Sequence, residues 1–175
     1  MSGESVISVK NIKTYFYSEN RCNRAVNGVS FEVKRGRTLC VVGESGCGKS
    51  VTASSIMQLL PRLARIEEGE IIYHSEDKGD IEIHKLKRNG KEMRQLRGKD
   101  IAMIFQDPMT ALNPVFKVGD QIAENIMQHE NVSKKEAKAR ALELLTQMGI
   151  PEPEKRIHIN FPKHMNGDMR PAEVI

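Results

Sequence analysis

Apolar and polar positions alternate along the first third of the chain in a way that predicts short β-strands. Residues 6–17 are rich in β-branched and aromatic side chains, and residues 29–33 alternate with a period of two. The apolar run at residues 39–42 is short and bounded by turn signals, which is typical of a strand buried on both faces. Gly43 ends this run, and residues 50–60 predict a helix. The predicted order is therefore buried strand, glycine-rich loop, helix.

The rest of the chain predicts a hairpin, one more strand and two helices. Residues 70–84 hold two isoleucine-rich runs on either side of a polar turn, which is the pattern of a β-hairpin. Residues 101–105 form a second apolar run and predict a second buried strand. Residues 118–128 predict one helix, and another begins at the capping box of Ser133 and Glu136. The chain therefore predicts a mixed sheet in its front half and helices in its back half.

The second of these helices is expected to end before Gly149 and to bury one face. Apolar residues that recur at helical spacing define that face. They are Ala137, Ala141, Leu144, Leu145 and Met148.

Composition places the chain among soluble globular proteins. It has 175 residues, a formal net charge of +4 and 39% hydrophobic residues. These values exclude a disordered, collagen-like or coiled-coil chain. The three cysteines fit no disulfide framework and favour a reducing cytoplasm. No apolar run reaches the roughly 20 residues needed to span a bilayer, so a role at a membrane would need another subunit to hold the chain there.

A basic stretch at residues 85–99 holds seven basic residues against one acidic residue. Such a patch can meet nucleic acid or anionic lipid. No aromatic residue interleaves to stack on bases, which favours a solvated helical face instead.

A glycine-rich octapeptide between the predicted strand and helix matches the phosphate-loop pattern GxxxxGK[ST] in full. Its residues are Gly43, Glu44, Ser45, Gly46, Cys47, Gly48, Lys49 and Ser50. Glycines let the backbone aim successive N–H groups at a phosphate, and the following helix offers free N–H groups and the positive end of its dipole. Lys49 can reach the β- and γ-phosphates, and the Ser50 hydroxyl can bind Mg²⁺. The motif in this context indicates a nucleoside-triphosphate site rather than a chance glycine turn.

Two blocks of sequence resemble the ATP-binding subunits of ABC transporters. They are residues 41–52, around the phosphate loop, and residues 97–114. Their detail is similar to the ATPases of oligopeptide, dipeptide and nickel importers, and to the first of the two paired ATPases in those systems. The resemblance implies an α/β P-loop NTPase fold of ABC type. Its mixed sheet would carry an N-terminal antiparallel β part and a helical subdomain.

The resemblance also implies ATP and Mg²⁺ as cofactors and assigns roles to single residues. Lys49 and Gln106 would be catalytic, and Ser50 and Gln106 would hold the metal ion. A side-chain amide suits the role of Gln106, since it offers one acceptor and two donors without adding charge. Val51 would contact the nucleotide together with the eight loop residues.

The resemblance further implies that an aromatic residue of the first hairpin stacks on the adenine ring. Spacing from Asn11 favours Phe16, with Tyr15 as the alternative. Neighbouring aromatic residues of one strand also supply ordinary core, which is the competing interpretation for this cluster.

The partners implied by the resemblance are a second ABC ATPase subunit, forming a dimer, and membrane permease subunits. The permeases would dock near the segment that begins at Asp107 and ends at Gln128, and no nucleic acid is expected. The chain would then lie peripherally on the cytoplasmic face of the cell membrane. Four apolar residues of a proline-punctuated loop support docking, with inward packing as the alternative: Met109, Leu112, Val115 and Phe116.

The family signature is altered in this chain. Asn166 stands where a serine would contact the partner's γ-phosphate, and Asp168 stands where the family has its second glycine. A carboxylate about 4 Å from a phosphate charge costs on the order of 4 kcal/mol at an effective dielectric constant of about 20. The change therefore weakens what this chain can offer to a second subunit.

No Walker B strand and no switch histidine follow before Ile175. The sequence therefore predicts missing C-terminal core strands and a truncated chain that does not turn over ATP alone, although the family hydrolyses ATP. The predicted domains are a nucleotide-binding core over residues 1–107 and a helical subdomain with a degenerate signature over residues 108–175.

Three functions fit these features. The first is the ATP-binding subunit of an ABC importer for peptides or nickel, which couples ATP binding and hydrolysis to transport. The second is a non-catalytic nucleotide-binding partner subunit, and the third is a soluble ABC-type ATPase not involved in transport. The block at residues 105–114 favours the importer over the third function, because its detail resembles importer ATPases.

Overall fold

The computed structural model describes residues 4–19, 21–105 and 112–160. The chain forms two compact units that divide between Arg97 and Gly98. The predicted domain boundary after residue 107 lies outside the described residues.

The first unit is built on a four-stranded sheet with the order β2-β1-β3-β4. Its strands are β1 (Ser5–Ser18), β2 (Arg21–Lys34), β3 (Ala64–Ser75) and β4 (Gly79–Glu82). Every pairing is antiparallel. The strands predicted at residues 6–17 and 29–33 and the predicted hairpin are confirmed. A tight turn joins β3 to β4, where local pairing is favourable.

Two short helices complete the first unit. They are α1 (Lys49–Ile56) and α2 (Lys91–Leu96), and a single 3₁₀ turn spans Ile83–Lys85. The helix predicted at residues 50–60 is confirmed but ends earlier, because Gln58 has a left-handed backbone with φ of 53°. Buried apolar side chains of the sheet and the helices form the core: Val9, Ile12, Val26, Met57, Leu60, Ala64, Ile71, Ile83, Met93 and Leu96.

The described part of the second unit contains three helices. They are α3 (Val118–His129), α4 (Lys134–Gln147) and α5 (Pro153–Arg156). Their shared core consists of Leu112, Val118, Ile122, Ala141, Leu145, Ile150 and Ile157. Helices α3 and α4 confirm the two helices predicted for this part of the chain. Gly149, with φ of 71°, follows the end of α4 as expected. Among the described residues, no helix combines the length and the apolar character that a membrane crossing requires.

The predicted buried face of α4 is only partly correct. Ala137, Ala141 and Leu145 are buried, whereas Leu144 and Met148 are exposed. The buried residues are spaced by four, so they form one narrow line along the helix. Leu144 lies one position before Leu145, which turns it about 100° from that buried residue. Met148 lies three positions beyond Leu145 and follows the last residue of α4.

The two predicted buried strands, at residues 39–42 and 101–105, are not formed. Val42 is 89% exposed and Ile104 is 75% exposed. Residues 38–42 make no backbone hydrogen bond to the described part of the chain. A strand that is buried on both faces needs a hydrogen-bonded neighbour, and apolar composition alone does not supply one. The parallel part of the predicted mixed sheet is therefore absent from the described residues.

The predicted capping box of α4 is confirmed in full. The Ser133 hydroxyl accepts the N–H of Glu136 at 3.3 Å, and the Glu136 carboxylate accepts the Ser133 N–H at 2.8 Å and its O–H at 2.6 Å. These hydrogen bonds from Ser133 lower the pKa of Glu136. Because the pKa is depressed on folding, the stabilisation is present above the ordinary glutamate pKa and is lost as the pH falls through the folded value.

We expect Ser133→Ala to lower the free energy of unfolding of the helical unit by about 1 kcal/mol at neutral pH, since the Glu136 N–H at the start of α4 loses its acceptor and the Glu136 carboxylate loses one of its two donors. The difference from the native chain should shrink at an acidic pH below the lowered pKa of Glu136, where the carboxyl group is protonated in both the folded and the unfolded state. Denaturant unfolding followed by circular dichroism at the two pH values measures this. Ser133→Thr is the control, because threonine keeps the cap; an equal loss in both variants would contradict the assignment.

Candidate nucleotide-binding site

The glycine-rich loop lies against strand β2. Gly48 has φ of 95°, a conformation that favours glycine. A Cβ atom on Gly48 would lie 2.4 Å from the carbonyl oxygen of Ala25. No larger residue fits this position, so the last glycine of the motif is required both by its backbone angle and by packing on the sheet.

The Lys49 ammonium lies inside the loop. Its Nζ atom donates to the carbonyl oxygens of Gly43 at 2.7 Å and Glu44 at 2.6 Å. The Cys47 sulfur lies 3.5 Å from the same nitrogen. The loop thus wraps around one positive charge, and an incoming phosphate would replace the two carbonyls as the partner of that charge.

Helix α1 begins directly at the loop and directs its N-terminus toward it. Gly48 supplies no side-chain cap, and the first turn contains no acidic residue. The N–H groups of Lys49, Ser50 and Val51 donate to no backbone acceptor within the described ranges. Free N–H groups and the positive end of the helix dipole therefore act together with the ammonium on an anion at this point.

Buried hydroxyl groups anchor α1 to the sheet. The Thr14 and Ser55 hydroxyls are hydrogen-bonded at 2.9 Å, and both residues are fully buried. The Ser55 hydroxyl also donates to Val51 O, and the Thr52 hydroxyl donates to Gly48 O at 3.0 Å. Sequence reasoning missed these residues, because a threonine in a strand and a serine in a helix carry no motif.

The other end of α1 is held by two side chains. Arg97 donates from Nε to Met57 O at 2.8 Å and from Nη2 to Gln58 O at 2.9 Å. The buried Gln58 amide donates to Ile83 O at 2.9 Å. Burial, with Arg88 nearby, lowers the pKa of Arg97 from its usual value. The guanidinium nevertheless stays charged at neutral pH.

The two candidates for adenine stacking lie on opposite faces of the sheet. Side chains two apart in a strand share a face, so Phe16 lies on the face of Thr14, which contacts α1. The Tyr15 hydroxyl donates to Asn27 on the opposite face, and its ring lies 5.6 Å from the Arg24 guanidinium. Phe16, on the sheet face that contacts α1, therefore fits the role of stacking on the adenine ring better than Tyr15 does.

Tyr17 shares the face of Tyr15. Its ring lies 4.5 Å from the Arg65 guanidinium, and its hydroxyl donates to Glu67 at 2.7 Å. The hydrogen bond to Glu67 raises the pKa of Tyr17 to about 12. Both tyrosines are thus engaged in contacts within the sheet.

Several predicted site residues lie outside the described residues. They are Gln106, Met109 and the altered signature with Asn166 and Asp168. The remaining members of the apolar docking segment separate into two kinds. Leu112 is buried in the helical core, whereas Val115 is exposed and Phe116 is 58% exposed.

The basic stretch at residues 85–99 is partly used inside the first unit. Arg88 donates to Ala64 O at 3.3 Å, and Arg97 binds the end of α1. Lys85 pairs with Glu82 at 2.7 Å. These contacts support the interpretation of a helical and structural segment over that of a binding patch.

A serine, a histidine and an aspartate form a hydrogen-bonded chain across the sheet. The Ser8 hydroxyl lies 2.8 Å from His74 Nε2, and His74 Nδ1 lies 2.7 Å from Asp80. Ser8 is only 5% exposed within β1, so a substrate cannot reach its oxygen. These three hydrogen-bonded side chains join β1, β3 and β4, and they do not form a hydrolase site.

Comparison with known families gives one match over most of the chain. The model of the ABC transporter family matches residues 26–171. This range includes the phosphate loop, α1 and the helical unit.

Curated relatives agree with that match. The dipeptide transport ATP-binding protein of Bacillus subtilis is 45% identical over 98% of this chain and 49% of its own length. The oligopeptide transport ATP-binding protein of the same organism is 45% identical over 97% of this chain and 46% of its own length. The glutathione import ATP-binding protein of Salmonella typhimurium is 43% identical over 100% of this chain and 28% of its own length. The chain thus spans about half the length of the first two relatives.

Solved structures share the fold. The dimeric bacterial ABC transporter cassette MJ0796 matches with a TM-score of 0.75 and 23% identity, over 96% of this chain and 67% of that one. The same cassette in a post-hydrolysis state, bound to ADP and phosphate, matches equally well with a TM-score of 0.75. The predicted ABC-type P-loop fold is confirmed, and the chain belongs to the ABC transporter family, with the fold of its ATP-binding cassette.

Proposed function

We propose that this chain binds Mg²⁺-ATP at the loop that runs from Gly43 to Val51. The observation that carries the proposal is the Lys49 ammonium held by the Gly43 and Glu44 carbonyls at the free N-terminus of α1. This arrangement places one full positive charge and a helix dipole where the β- and γ-phosphates would lie. The partners of the Lys49 ammonium in the loop are two carbonyl oxygens and a sulfur. No carboxylate is among them to compete with a phosphate for this charge.

Ser50 is the residue of the described part of the chain that fits Mg²⁺. Its side chain is exposed at the first turn of α1. A hydroxyl oxygen suits this hard cation, which prefers oxygen ligands and usually keeps several waters. Bound Mg²⁺ would neutralise charge on the phosphates. Gln106 is proposed as a further metal contact on the strength of the motif.

Within the reaction of the family, Lys49 would stabilise charge on the transferred phosphoryl group, and Gln106 would orient the attacking water. Both roles are electrostatic and positional, since phosphoryl transfer needs little covalent help from the protein. Phe16 would hold the adenine ring by stacking, which is tolerant of the base.

The complete subunit would act in an ABC importer for peptides. The dipeptide, oligopeptide and glutathione relatives support this substrate class. A second ATPase subunit would complete the dimer, as in the dimeric cassette MJ0796. Permease subunits would hold the chain at the cytoplasmic face of the membrane and dock near residues 107–128.

A non-catalytic nucleotide-binding partner is the second candidate function. The observation that favours it is the pair Asn166 and Asp168 in the signature. A carboxylate there would repel the γ-phosphate bound by a second subunit. In this case the chain would bind ATP at its own loop and leave the opposite site inactive.

Lys49→Ala should reduce ATP affinity below detection and leave the fold intact, because it removes the charge at the centre of the loop. Titration with a fluorescent ATP analogue measures the affinity, and circular dichroism checks the fold. Lys10→Ala is the matched control, since Lys10 is an exposed lysine of β1 whose ion-pair partner Glu70 lies 3.8 Å away. Unchanged affinity in Lys49→Ala would refute the proposed site.

Phe16→Ala should weaken ATP binding by about 1–3 kcal/mol, the usual contribution of one stacked base. Its affinity for inorganic tripolyphosphate should not change, since the phosphate loop is intact. Tyr15→Ala is the control from the opposite face of the sheet. If Tyr15→Ala loses ATP affinity and Phe16→Ala does not, the adenine assignment moves to Tyr15.

Phe116→Asp and Val115→Asp should abolish association with peptide-importer permeases without weakening ATP binding, because both side chains are exposed. Co-purification with the permease subunits in detergent measures the association. Leu112→Asp is the contrasting variant and should unfold the helical unit, since Leu112 belongs to its core. Unfolding of the Phe116 variant, or unaltered association, would show that this surface is not the docking site.

A further inference from the structure

The C-terminal end of α1 is held by residues that are distant in sequence. A helix end leaves its last carbonyls without partners inside the helix. Met57 O and Gln58 O follow the last residue of α1, and both accept from the single Arg97 guanidinium, 40 and 39 residues away. The Gln58 side chain adds a second link by donating to Ile83 O.

The charge on Arg97 suits its place. The last turn of α1 contains no basic residue of its own. A cation near a helix C-terminus is favourable because it complements the negative end of the dipole. Hydrogen bonds from a charged donor are also stronger than neutral ones. Arg97 therefore binds the carbonyl groups at the point where the left-handed backbone of Gln58 ends α1.

Helix α1 is short enough to transmit this constraint to the phosphate loop. It has eight residues, which corresponds to a length of about 12 Å. A helix of this length moves as a rigid body. A displacement or rotation of its C-terminal end at Met57 therefore displaces Lys49 at its N-terminal end by a similar amount. At the loop end, Thr52 bonds Gly48 O, and Gly48 has no free space against Ala25.

We infer that Arg97 is a positioning residue for the phosphate loop, which it holds in place through α1, with Gln58 as its partner. The inference rests on the proposed ATP site. The competing interpretation is that Arg97 only joins α2 to the rest of the first unit and contributes to stability in general.

Arg88 provides the matched control for this distinction. It is an arginine of the same basic stretch, and its guanidinium also donates to a backbone carbonyl, that of Ala64 at 3.3 Å. Ala64 begins strand β3 and is no part of α1. Arg88→Met and Arg97→Met therefore remove the same kind of bond, and only the second frees the end of α1.

The experiment measures two quantities in the full chain at a temperature where each variant is folded. The first is the ratio of the affinities for ATP and adenosine, which isolates the contribution of the phosphates. The second is amide hydrogen exchange over residues 49–56 without nucleotide, which reports the order of α1 directly. Arg97→Lys and Gln58→Met complete the set, so that a failure of Arg97→Met to fold does not end the test.

We expect Arg97→Met to lower ATP affinity about tenfold, to leave adenosine affinity unchanged and to accelerate exchange in α1. Arg97→Lys should recover part of the loss, since one ammonium can bond one carbonyl at a time. Gln58→Met should accelerate exchange in the same helix, and Arg88→Met should do neither.

Unchanged exchange and an unchanged affinity ratio in folded Arg97 variants would overturn the inference. Equal effects of Arg88→Met and Arg97→Met would overturn it too, because they would show general destabilisation. If the native chain shows no preference for ATP over adenosine, the proposed function fails, and the exchange data alone decide the role of Arg97.

Discussion

The contact between Gly48 and the carbonyl of Ala25 constrains much of the first unit. A Cβ atom at Gly48 would lie 2.4 Å from that oxygen, so the loop must pass the sheet without a side chain. This close approach sets where α1 begins. The Thr14–Ser55 hydrogen bond then fixes how α1 lies on β1, and Arg97 holds the C-terminal end of the helix. The sheet, the loop and α1 are therefore held in fixed positions relative to one another.

The electrostatics of the loop follow from this placement. A lone ammonium at a helix N-terminus meets an unfavourable dipole, yet Lys49 bonds two loop carbonyls that offset the repulsion. A phosphate would satisfy the ammonium and the free N–H groups of α1 at once, whereas the carbonyls satisfy only the ammonium. The loop is thus stable without an anion and still favours one when it arrives.

Sequence patterns predicted the parts of this structure that depend on local interactions. Turns and the capping box at Ser133 follow rules that involve neighbouring residues, and these predictions were confirmed. The prediction of a strand at residues 39–42 was wrong because strand formation depends on a hydrogen-bonded neighbour that no local pattern specifies. The hydrogen bonds from Arg97 to the end of α1 could not be predicted for the same reason, since their acceptors lie 39 and 40 residues away in the sequence. Phe16 was favoured for the adenine ring by family resemblance and by its spacing from Asn11. The alternation of β1 puts Phe16 and Tyr15 on opposite faces of the sheet, and the stacking role of Phe16 stays a prediction.

The unformed strand also bears on the loop. Residues 38–42 lead directly into Gly43, whose carbonyl is one of the two that hold Lys49. Strand pairing there would restrict the conformation of Gly43, the next residue of the chain. A phosphate held by the loop would restrict the same residues, so each event would reduce the entropy that the other must remove, and the two would favour each other. Order in this site therefore comes from α1 and β2 first, and from the apolar run only when a neighbouring strand pairs with it.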